Sequence, residues 1–396
     1  MVILSSRPAF WLAVVLPLAS LAQDSADLGA ALADPKNWAV SSLAGDWRQT
    51  GSDAKMRTLA GAAPIFGIPP QTAQARFENA ALAQIDITYL EVGNFFASQA
   101  ARDAGQKKAQ KEFEARFKSV EAILLGKLSA LYGAGQRRNV GKSQLLRSRV
   151  TDFTAGSVVV RLYAEEDQLV SISILPAQAA AQKLAAATAA PAGVAERRTE
   201  TQANVARLAN GDVVVQNVPA VDQGDRGYCA IGTLTMITRY YGLPVNVDLI
   251  AAKAGYKEGD VSNANLGGVY SACAKEAKLR LKTDRSFDFR KAKKHLLKGG
   301  PIIVGRRFDR VREEFHSRFA MSYQKDPTVC LPKANRGERA RWPASSAGAH
   351  ASVITGFNEE RDEVLFTESW GEAARNRRML AEEMEATAFE VHYFTP

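Results

Sequence analysis

The segment Val221–Tyr241, with the sequence VDQGDRGYCAIGTLTMITRYY, places a cysteine directly before an apolar helix and guides the interpretation of the second half of the chain. Behind Cys229, apolar side chains recur at roughly helical spacing, which predicts a buried helix that starts at the thiol. A thiol at a helix N-terminus faces backbone N–H groups and the positive end of the helix dipole, so its thiolate is favoured. Gln223 precedes the thiol closely enough to return a side-chain amide to the same point. A buried structural cysteine would show the same pattern. A nucleophilic thiol additionally needs a base and an oxyanion site, which have to be found elsewhere in the chain.

The chain has four histidines, which makes the search for a base short. His295 and His316 lie in charged helical segments and are expected to be solvated, and His392 falls in an alternating strand near the C-terminus. His350 opens an apolar strand after a loop of Ser, Ala and Gly, a position that can hold an imidazole rigidly at the edge of a cleft. A strand-end histidine bound to a backbone carbonyl is the alternative interpretation of His350.

A carboxylate at the end of the next strand is the candidate partner for this histidine. If the strand that ends in Thr367-Glu368 pairs with the strand of His350 as a hairpin, Glu368 comes out near the imidazole. There its carboxylate would fix the ring tautomer and stabilise the imidazolium. Trp370 beside the tight turn at Gly371 would shield such a bond from water. The alternative is an ordinary surface carboxylate.

These three motifs, in this order, resemble those of papain-like cysteine peptidases. Gln223–Cys229 is similar to their Q-G-x-x-G-x-C segment, His350-Ala351 with Gly356 to their histidine strand, and Glu368–Gly371 to their N-S-W-G motif. The resemblance covers roughly residues 211–396. Within that superfamily, the short cysteine helix and the Gly300-Pro301 strand are more similar to bacterial members such as the double-glycine leader peptidases.

The resemblance implies an α+β fold in which a helical half packs on an antiparallel sheet, and it implies a role for each candidate residue. Cys229 would be the nucleophile, His350 the base and acid, Glu368 the orienting residue and Gln223 a donor in the oxyanion hole. The expected activity is that of a cysteine peptidase acting on a peptide or protein through a thioester, with no cofactor and no metal. A glutamate where the family has asparagine or aspartate is a departure, and so is the bulky Tyr228. A catalytically silent binding protein and acyl transfer to an amine remain the alternatives.

The beginning of the chain predicts export. Arg7, the apolar run Ala9–Leu18 and a small-residue site ending at Ala22 are typical of a signal peptide over residues 1–22. We therefore expect a secreted or periplasmic protein without stable membrane insertion, and an association with the cell envelope is possible.

Residues 23–176 are expected to form a small α+β domain, followed by an Ala-rich linker over 177–210. We predict a loosely structured lead-in over 23–60, and then the strand Ile85–Leu90, the helix Ala101–Tyr132 and a hairpin of Ser157–Tyr163 with Gln168–Leu175. Either this domain covers the cleft until the linker is cut, or it binds the substrate or the cell envelope. The second reading is preferred because the domain has a core of its own.

Charge and cysteine content narrow the function further. The net charge of +9 is spread along the chain, and its densest cluster, Lys333–Arg341, has no interleaved aromatic residue on which bases could stack. We therefore expect no nucleic-acid partner, and we interpret the charged residues 306–348 as a surface insertion.

Of the three cysteines, Cys273 and Cys330 could form a disulfide, which would leave Cys229 as the free thiol.

Overall fold

The computed structural model describes residues 26–50, 53–97, 106–141, 144–165, 168–188, 194–223, 227–243, 245, 247–256 and 264–396. The predicted signal peptide lies outside the described residues. The described chain forms two antiparallel sheets in succession, each with its own helices. None of the described helices is long and apolar enough to cross a membrane.

The first half of the described chain builds one sheet with a long helix against it. Its strands are β1 (Trp47–Thr50), β2 (Asp53–Leu59), β3 (Thr72–Glu78), β4 (Ala81–Glu91), β5 (Gln136–Val140), β6 (Ser148–Ala155), β7 (Val158–Glu165) and β8 (Leu169–Pro176). They pair antiparallel in the order β1-β2-β3-β4-β8-β7-β6-β5. The helices are α1 (Gly29–Leu32), α2 (Pro35–Ala39), α3 (Val92–Ala97) and α4 (Gln106–Tyr132).

The apolar periodicity of α4 explains how this half is held together. Phe113, Leu124 and Leu128 are completely buried and join one core with side chains of the sheet. Burying one such side chain contributes roughly 1.5–3 kcal/mol. The predicted helix is confirmed from Gln106 onward, and the predicted hairpin is confirmed as β7 and β8.

The prediction of a loose lead-in over residues 23–60 is wrong for the described part of that segment. Strands β1 and β2 extend the first sheet, and Leu32 and Trp38 are buried in its core. The Trp38 indole donates a hydrogen bond to the Leu32 carbonyl at 2.7 Å. These elements are short, so their stability comes from tertiary packing rather than from a local periodic pattern.

The second half builds the other sheet. Its strands are β9 (Val205–Arg207), β10 (Asp212–Val215), β11 (Arg280–Asp284), β12 (Ile302–Phe308), β13 (Gly348–Asn358), β14 (Glu363–Thr367), β15 (Arg377–Leu380) and β16 (Ala388–Thr395). They run in the order β11-β16-β12-β13-β10-β9, and β14 joins β13 to β15. The helix α5 (Ala177–Thr188) follows β8 and packs on β5, β7 and β8 of the first sheet. The helices of the second half are α6 (Val194–Ala203), α7 (Cys229–Tyr240), α8 (Val247–Ala254), α9 (Leu266–Glu276), α10 (Phe289–Leu296), α11 (Arg310–Lys325), α12 (Arg336–Arg339) and α13 (Ala381–Thr387).

Helix α7 is the centre of the second core. Ile231, Leu234 and Ile237 are completely buried and belong to one cluster with Val353 and Ile354 of β13. The mixed architecture of helices packed on an antiparallel sheet agrees with the expectation from the sequence. It fixes the first turn of α7 next to the strands that carry the other candidate residues.

The segment interpreted as a linker, residues 177–210, contributes to the second sheet. Its described part is largely helical, as expected, but β9 pairs antiparallel with β10. Arg197 and Thr201 of α6 are buried, and the Arg197 guanidinium donates to the Ala277 carbonyl. The second sheet therefore begins at Val205, before the expected boundary at 211.

Two further expectations are corrected by this half of the structure. Residues 306–348 are not a solvated insertion, because β12 runs to Phe308 and α11 buries Arg312, Glu313 and His316. The possible disulfide between Cys273 and Cys330 is not formed. Both are free thiols, the first in the core on α9 and the second exposed in the loop after α11.

Candidate active site

Cys229 is the first residue of α7, as the sequence predicts, and its thiol is only partly exposed. The N-cap residue, Tyr228, makes no side-chain hydrogen bond to the helix, so no capping oxygen from that residue satisfies the N–H groups of the first turn. The positive end of the helix dipole therefore acts on the sulfur. This environment favours the thiolate.

His350 and Glu368 are brought together by the pairing of β13 with β14. The register sets Val353 opposite Thr367, so that Glu368, just beyond the end of β14, reaches back toward His350. Nε2 of His350 lies 2.6 Å from Oε2 of Glu368, and both side chains are buried. The His350 imidazole also forms a hydrogen bond with the thiol of Cys229. The three side chains thus form one continuous series of hydrogen bonds.

The charges of this series reinforce one another. Burial alone would raise the pKa of the Cys229 thiol, but the hydrogen bond and charge of His350 outweigh it and lower the pKa. Burial alone would lower the pKa of His350, but Glu368 and the bond to Cys229 raise it to about 9. The pKa of Glu368, which burial would raise, is held at about 2 by His350 and Arg306. A thiolate–imidazolium pair at neutral pH is the state these shifts favour.

Two aromatic rings hold the imidazole in place. The Phe308 ring centroid lies 5.2 Å from that of His350, and the Trp370 centroid lies 5.1 Å from it. Trp370 is followed by Gly371, whose φ of +81° is a conformation that glycine adopts without steric cost. The indole therefore lies against the imidazole, which restricts the access of water to its bond with Glu368.

Gln223 is held at the first turn of α7 by the segment that follows Glu368. Its backbone N–H donates to the Ser369 carbonyl at 2.9 Å, and its Oε1 accepts a hydrogen bond from Oγ of Ser369 at 2.5 Å. The amide is therefore oriented with its NH2 group directed away from Ser369. A Cβ at Gly232 would lie 2.5 Å from Cβ of Ser369, so this glycine permits the close approach of the helix.

A buried charge network around Glu368 was not anticipated from the sequence. Nη2 of Arg306 donates to Oε1 of Glu368 at 2.7 Å, and Oγ of Ser352 donates to the same oxygen at 2.8 Å. Nη1 of Arg306 donates to Glu313 of α11 at 2.5 Å, and Nη1 of Arg377 donates to the other oxygen of Glu313 at 2.8 Å. Oε1 of Glu368 is therefore occupied by Arg306 and Ser352, and Arg377 neutralises the neighbouring carboxylate of Glu313. This leaves Oε2 of Glu368 to the imidazole.

The local signal for this network was the presence of polar residues among the apolar residues of β12 and β13. Arg306 and Ser352 are two of these, and a polar side chain that faces a core needs a partner there. The partner on α11 could not be identified from sequence, because nothing in the local pattern shows where that helix packs.

A surface pocket of about 400 Å³ lies against the two aromatic rings that flank the imidazole. Phe308 and Trp370, which flank His350, form its apolar side. Helix α11 supplies its polar side, and the lining residues there are Arg310, Glu313, Glu314, Ser317 and Arg318. The segment interpreted as an insertion thus borders the candidate site.

The remaining histidines do not join the site. His316, expected to be solvated, is completely buried and lies beside Glu313 and Glu383. His295 is half-buried, and burial together with nearby lysines lowers its pKa to about 4. Within the described ranges, no group of three or more His, Cys, Asp or Glu side chains could hold a metal ion.

Comparison with known proteins relates the second half of the chain to a peptidase family. Residues 215–394 match the model of the Peptidase_C39-like family. This match assigns that segment, but not the preceding part of the chain, to the papain-like cysteine peptidase superfamily. The comparison suggests a cysteine peptidase.

Two solved structures are similar to part of this chain. One is a putative C39-like peptidase from Bacillus anthracis, with 13% identity over 46% of this chain and 96% of that chain, at a TM-score of 0.31. The other is xylellain, a cysteine protease from Xylella fastidiosa, with 15% identity over 50% of this chain and 88% of that chain, at a TM-score of 0.27. Comparison with curated proteins gives no significant match.

Proposed function

We propose that this protein is an exported cysteine peptidase that cleaves peptide bonds with Cys229, His350 and Glu368. One observation carries the proposal, which is the continuous series of hydrogen bonds from the thiol at the start of α7 to a buried carboxylate. A lowered thiol pKa beside a raised imidazole pKa is the combination that a nucleophilic cysteine requires.

The proposed reaction proceeds through two acyl transfers. The Cys229 thiolate attacks the carbonyl carbon of the scissile peptide, and the backbone N–H of Cys229 and the Gln223 amide stabilise the oxyanion. The His350 imidazolium gives its proton to the leaving amine, and a thioester remains on the enzyme. His350 then takes a proton from water, which attacks the thioester and releases the acid. Glu368 keeps the imidazole oriented throughout.

The substrate class is a peptide or protein. The pocket next to Phe308 and Trp370 supports this assignment, because its apolar side and its charged helix can both contact an extended peptide. Export is proposed from the sequence of residues 1–22 alone.

The test is iodoacetamide labelling of the intact protein between pH 4 and 9, with peptide mapping of the three thiols. We expect Cys229 to react rapidly below pH 7, because its thiolate is favoured there. Exposed Cys330 serves as the reference within the same molecule, and Cys273, whose pKa burial raises to about 12, should label slowly. His350→Ala should remove the reactivity of Cys229 at low pH without changing that of Cys330.

Turnover is measured separately, on denatured protein and peptide mixtures. Cys229→Ala should abolish cleavage, and retention of cleavage by this variant would refute the mechanism. An ordinary thiol profile for Cys229 would instead indicate a protein that keeps the fold for binding. Cross-linked product in the presence of an added amine would indicate acyl transfer to that amine.

A further inference from the structure

The residue directly before the candidate nucleophile is anchored in the first half of the chain. Tyr228 is completely buried, and its ring packs edge-on against Tyr256 at a centroid distance of 5.0 Å. Its hydroxyl and the carboxylate of Glu91, the last residue of β4, meet at Gly93, and burial raises the pKa of that carboxyl. The side chain of the N-cap residue of α7 is thus held by the other sheet.

The carboxylate that receives Tyr228 is itself fixed. Glu91 is completely buried, and its two oxygens accept the backbone N–H groups of Gly93 and Asn94, each at 2.8 Å. A Cβ at Gly93 would lie 2.6 Å from the Tyr228 hydroxyl, so a glycine is needed at this close approach. Glu91 therefore presents a rigid acceptor, because two backbone donors at the start of α3 determine where it lies.

Further contacts dock the first sheet against α8 on the same side of the molecule. Oγ1 of Thr88 donates to Asp248 at 2.6 Å, and Nζ of Lys253 binds Glu165 and donates to the Arg147 carbonyl. The two halves are therefore in direct contact behind the first turn of α7.

We propose that the contact between Tyr228 and Glu91 is a positioning device, through which the first half of the chain holds Cys229 in the geometry of attack. The inference rests on the proposed function. Tyr228 and Cys229 share a peptide bond, and the N-cap makes no side-chain bond to its own helix, so the position of the Tyr228 ring determines the direction of the helix start. A displacement of about 1 Å at a reacting group can lower turnover about 10²-fold. The first half of the chain is then part of the working enzyme rather than a cover to be removed.

The test is a double-mutant cycle of Tyr228→Phe and Glu91→Gln in the full chain. Each single variant should lower kcat by roughly 10- to 100-fold, with a smaller change in KM, because the nucleophile is misplaced while the substrate pocket is intact. The iodoacetamide profile of Cys229 should move toward higher pH in both. The double variant should lose no more than either single variant, because both remove the same contact.

Tyr241→Phe is the matched control, since it removes a buried hydroxyl at the other end of α7, where it donates to the Phe394 carbonyl at 2.9 Å. It should leave kcat and the labelling profile unchanged. Unchanged kcat in Tyr228→Phe, additive losses in the double variant, or an equal loss in Tyr241→Phe would each overturn the positioning role. If Cys229 of the wild type shows an ordinary thiol profile, the proposed function falls as well. An activated wild-type thiol with unchanged variants overturns the positioning role alone.

Discussion

At the scale of single residues, the third member of the site differs most from what its sequence position suggested. From the resemblance of its motif, a shorter asparagine or aspartate side chain was expected at the position of Glu368. Here Glu368 is completely buried, with one oxygen bound by Arg306 and Ser352 and the other by His350. The longer carboxylate is therefore held at both ends and is ionised in spite of its burial. The charge on Glu368, as well as its shape, contributes to the site.

Glu368→Gln tests that charge at the residue scale. Burial alone would lower the pKa of His350, and Glu368 raises it to about 9, so the variant should have a lower imidazole pKa. Because activity at high pH ends when the imidazolium loses its proton, the alkaline limit of kcat/KM should move to lower pH. We expect kcat to fall roughly 10²- to 10⁴-fold, as when a triad loses its orienting carboxylate.

The matched control for that variant is Glu363→Gln. Glu363 is a buried carboxylate on β14 that pairs with Arg378 and does not contact His350. This variant should change stability without moving the alkaline limit. Equal pH profiles for Glu368→Gln and the wild type would show that the carboxylate charge does not act on the imidazole.

At the scale of elements, α11 is a structural support for the site. The charged composition of this helix is misleading, because Arg312 and Glu313 are buried and Glu313 pairs with arginines of β12 and β15. Glu313 lies between Arg306 and Arg377, so its removal leaves two buried guanidinium groups to share the carboxylate of Glu368. Breaking such a buried pair costs roughly 3–5 kcal/mol. The helix therefore links the stability of the second core to the orientation of Glu368.

Glu313→Gln tests this link through the dependence of stability on pH. Although burial alone would raise the pKa of Glu313, Arg306 and other partners hold it far below its usual value in the folded state. The ionised form thus stabilises the fold above about pH 4.3, the ordinary value of a glutamate, and this stability is lost as the pH falls. The variant should be about 3–5 kcal/mol less stable at pH 7 and should depend less on pH between about 5 and 2. Urea denaturation at a series of pH values measures both.

Glu314→Gln, the neighbouring residue in the same helix, is the control. Its side chain is 52% exposed and pairs only with exposed arginines among the contacts described. It should change the free energy of unfolding by less than about 0.5 kcal/mol. If both variants had the same stability at pH 7, the buried network would not support the fold.

At the scale of the whole molecule, the two sheets are joined through the loop between β5 and β6. Leu146 of this loop is buried in the core of the second half, together with side chains of α7 and α8. Thr88, Glu165 and Arg147 add polar contacts to α8 around it. The halves are therefore expected to unfold together while this interface is intact.

Leu146→Ala should weaken the docking of the two halves. Truncating a buried leucine costs roughly 2–5 kcal/mol, and here that loss falls on the interface. We expect scanning calorimetry to show one main transition in the wild type and two separated transitions in the variant. Leu131→Ala, at a position of α4 that is 43% exposed, is the matched control and should leave the profile unchanged. A single unchanged transition in Leu146→Ala would show that the loop does not couple the halves.

Part of the fold could be predicted because local sequence patterns specify it. The helix after Cys229, the long α4 and the hairpin β13–β14 were each predicted from apolar spacing that repeats within the element. The lead-in strands and α11 were misjudged for the opposite reason. Short strands and a charged helix gain their stability from partners that lie far away in the sequence.

The sequence by itself determined which residues were candidates for the site. It selected a thiol at a helix start, one histidine at the mouth of a strand and one carboxylate at the end of the next, because each stands in a distinctive local setting. Their roles stay predictions until Cys229 and His350 are tested. Only the tertiary structure decided that Arg306 and Glu313 support Glu368, and that Tyr228 and Glu91 come together at Gly93. The physical reason is that a buried charge or hydroxyl is stable only beside its partner, and these partners are brought together by the packing of separate elements.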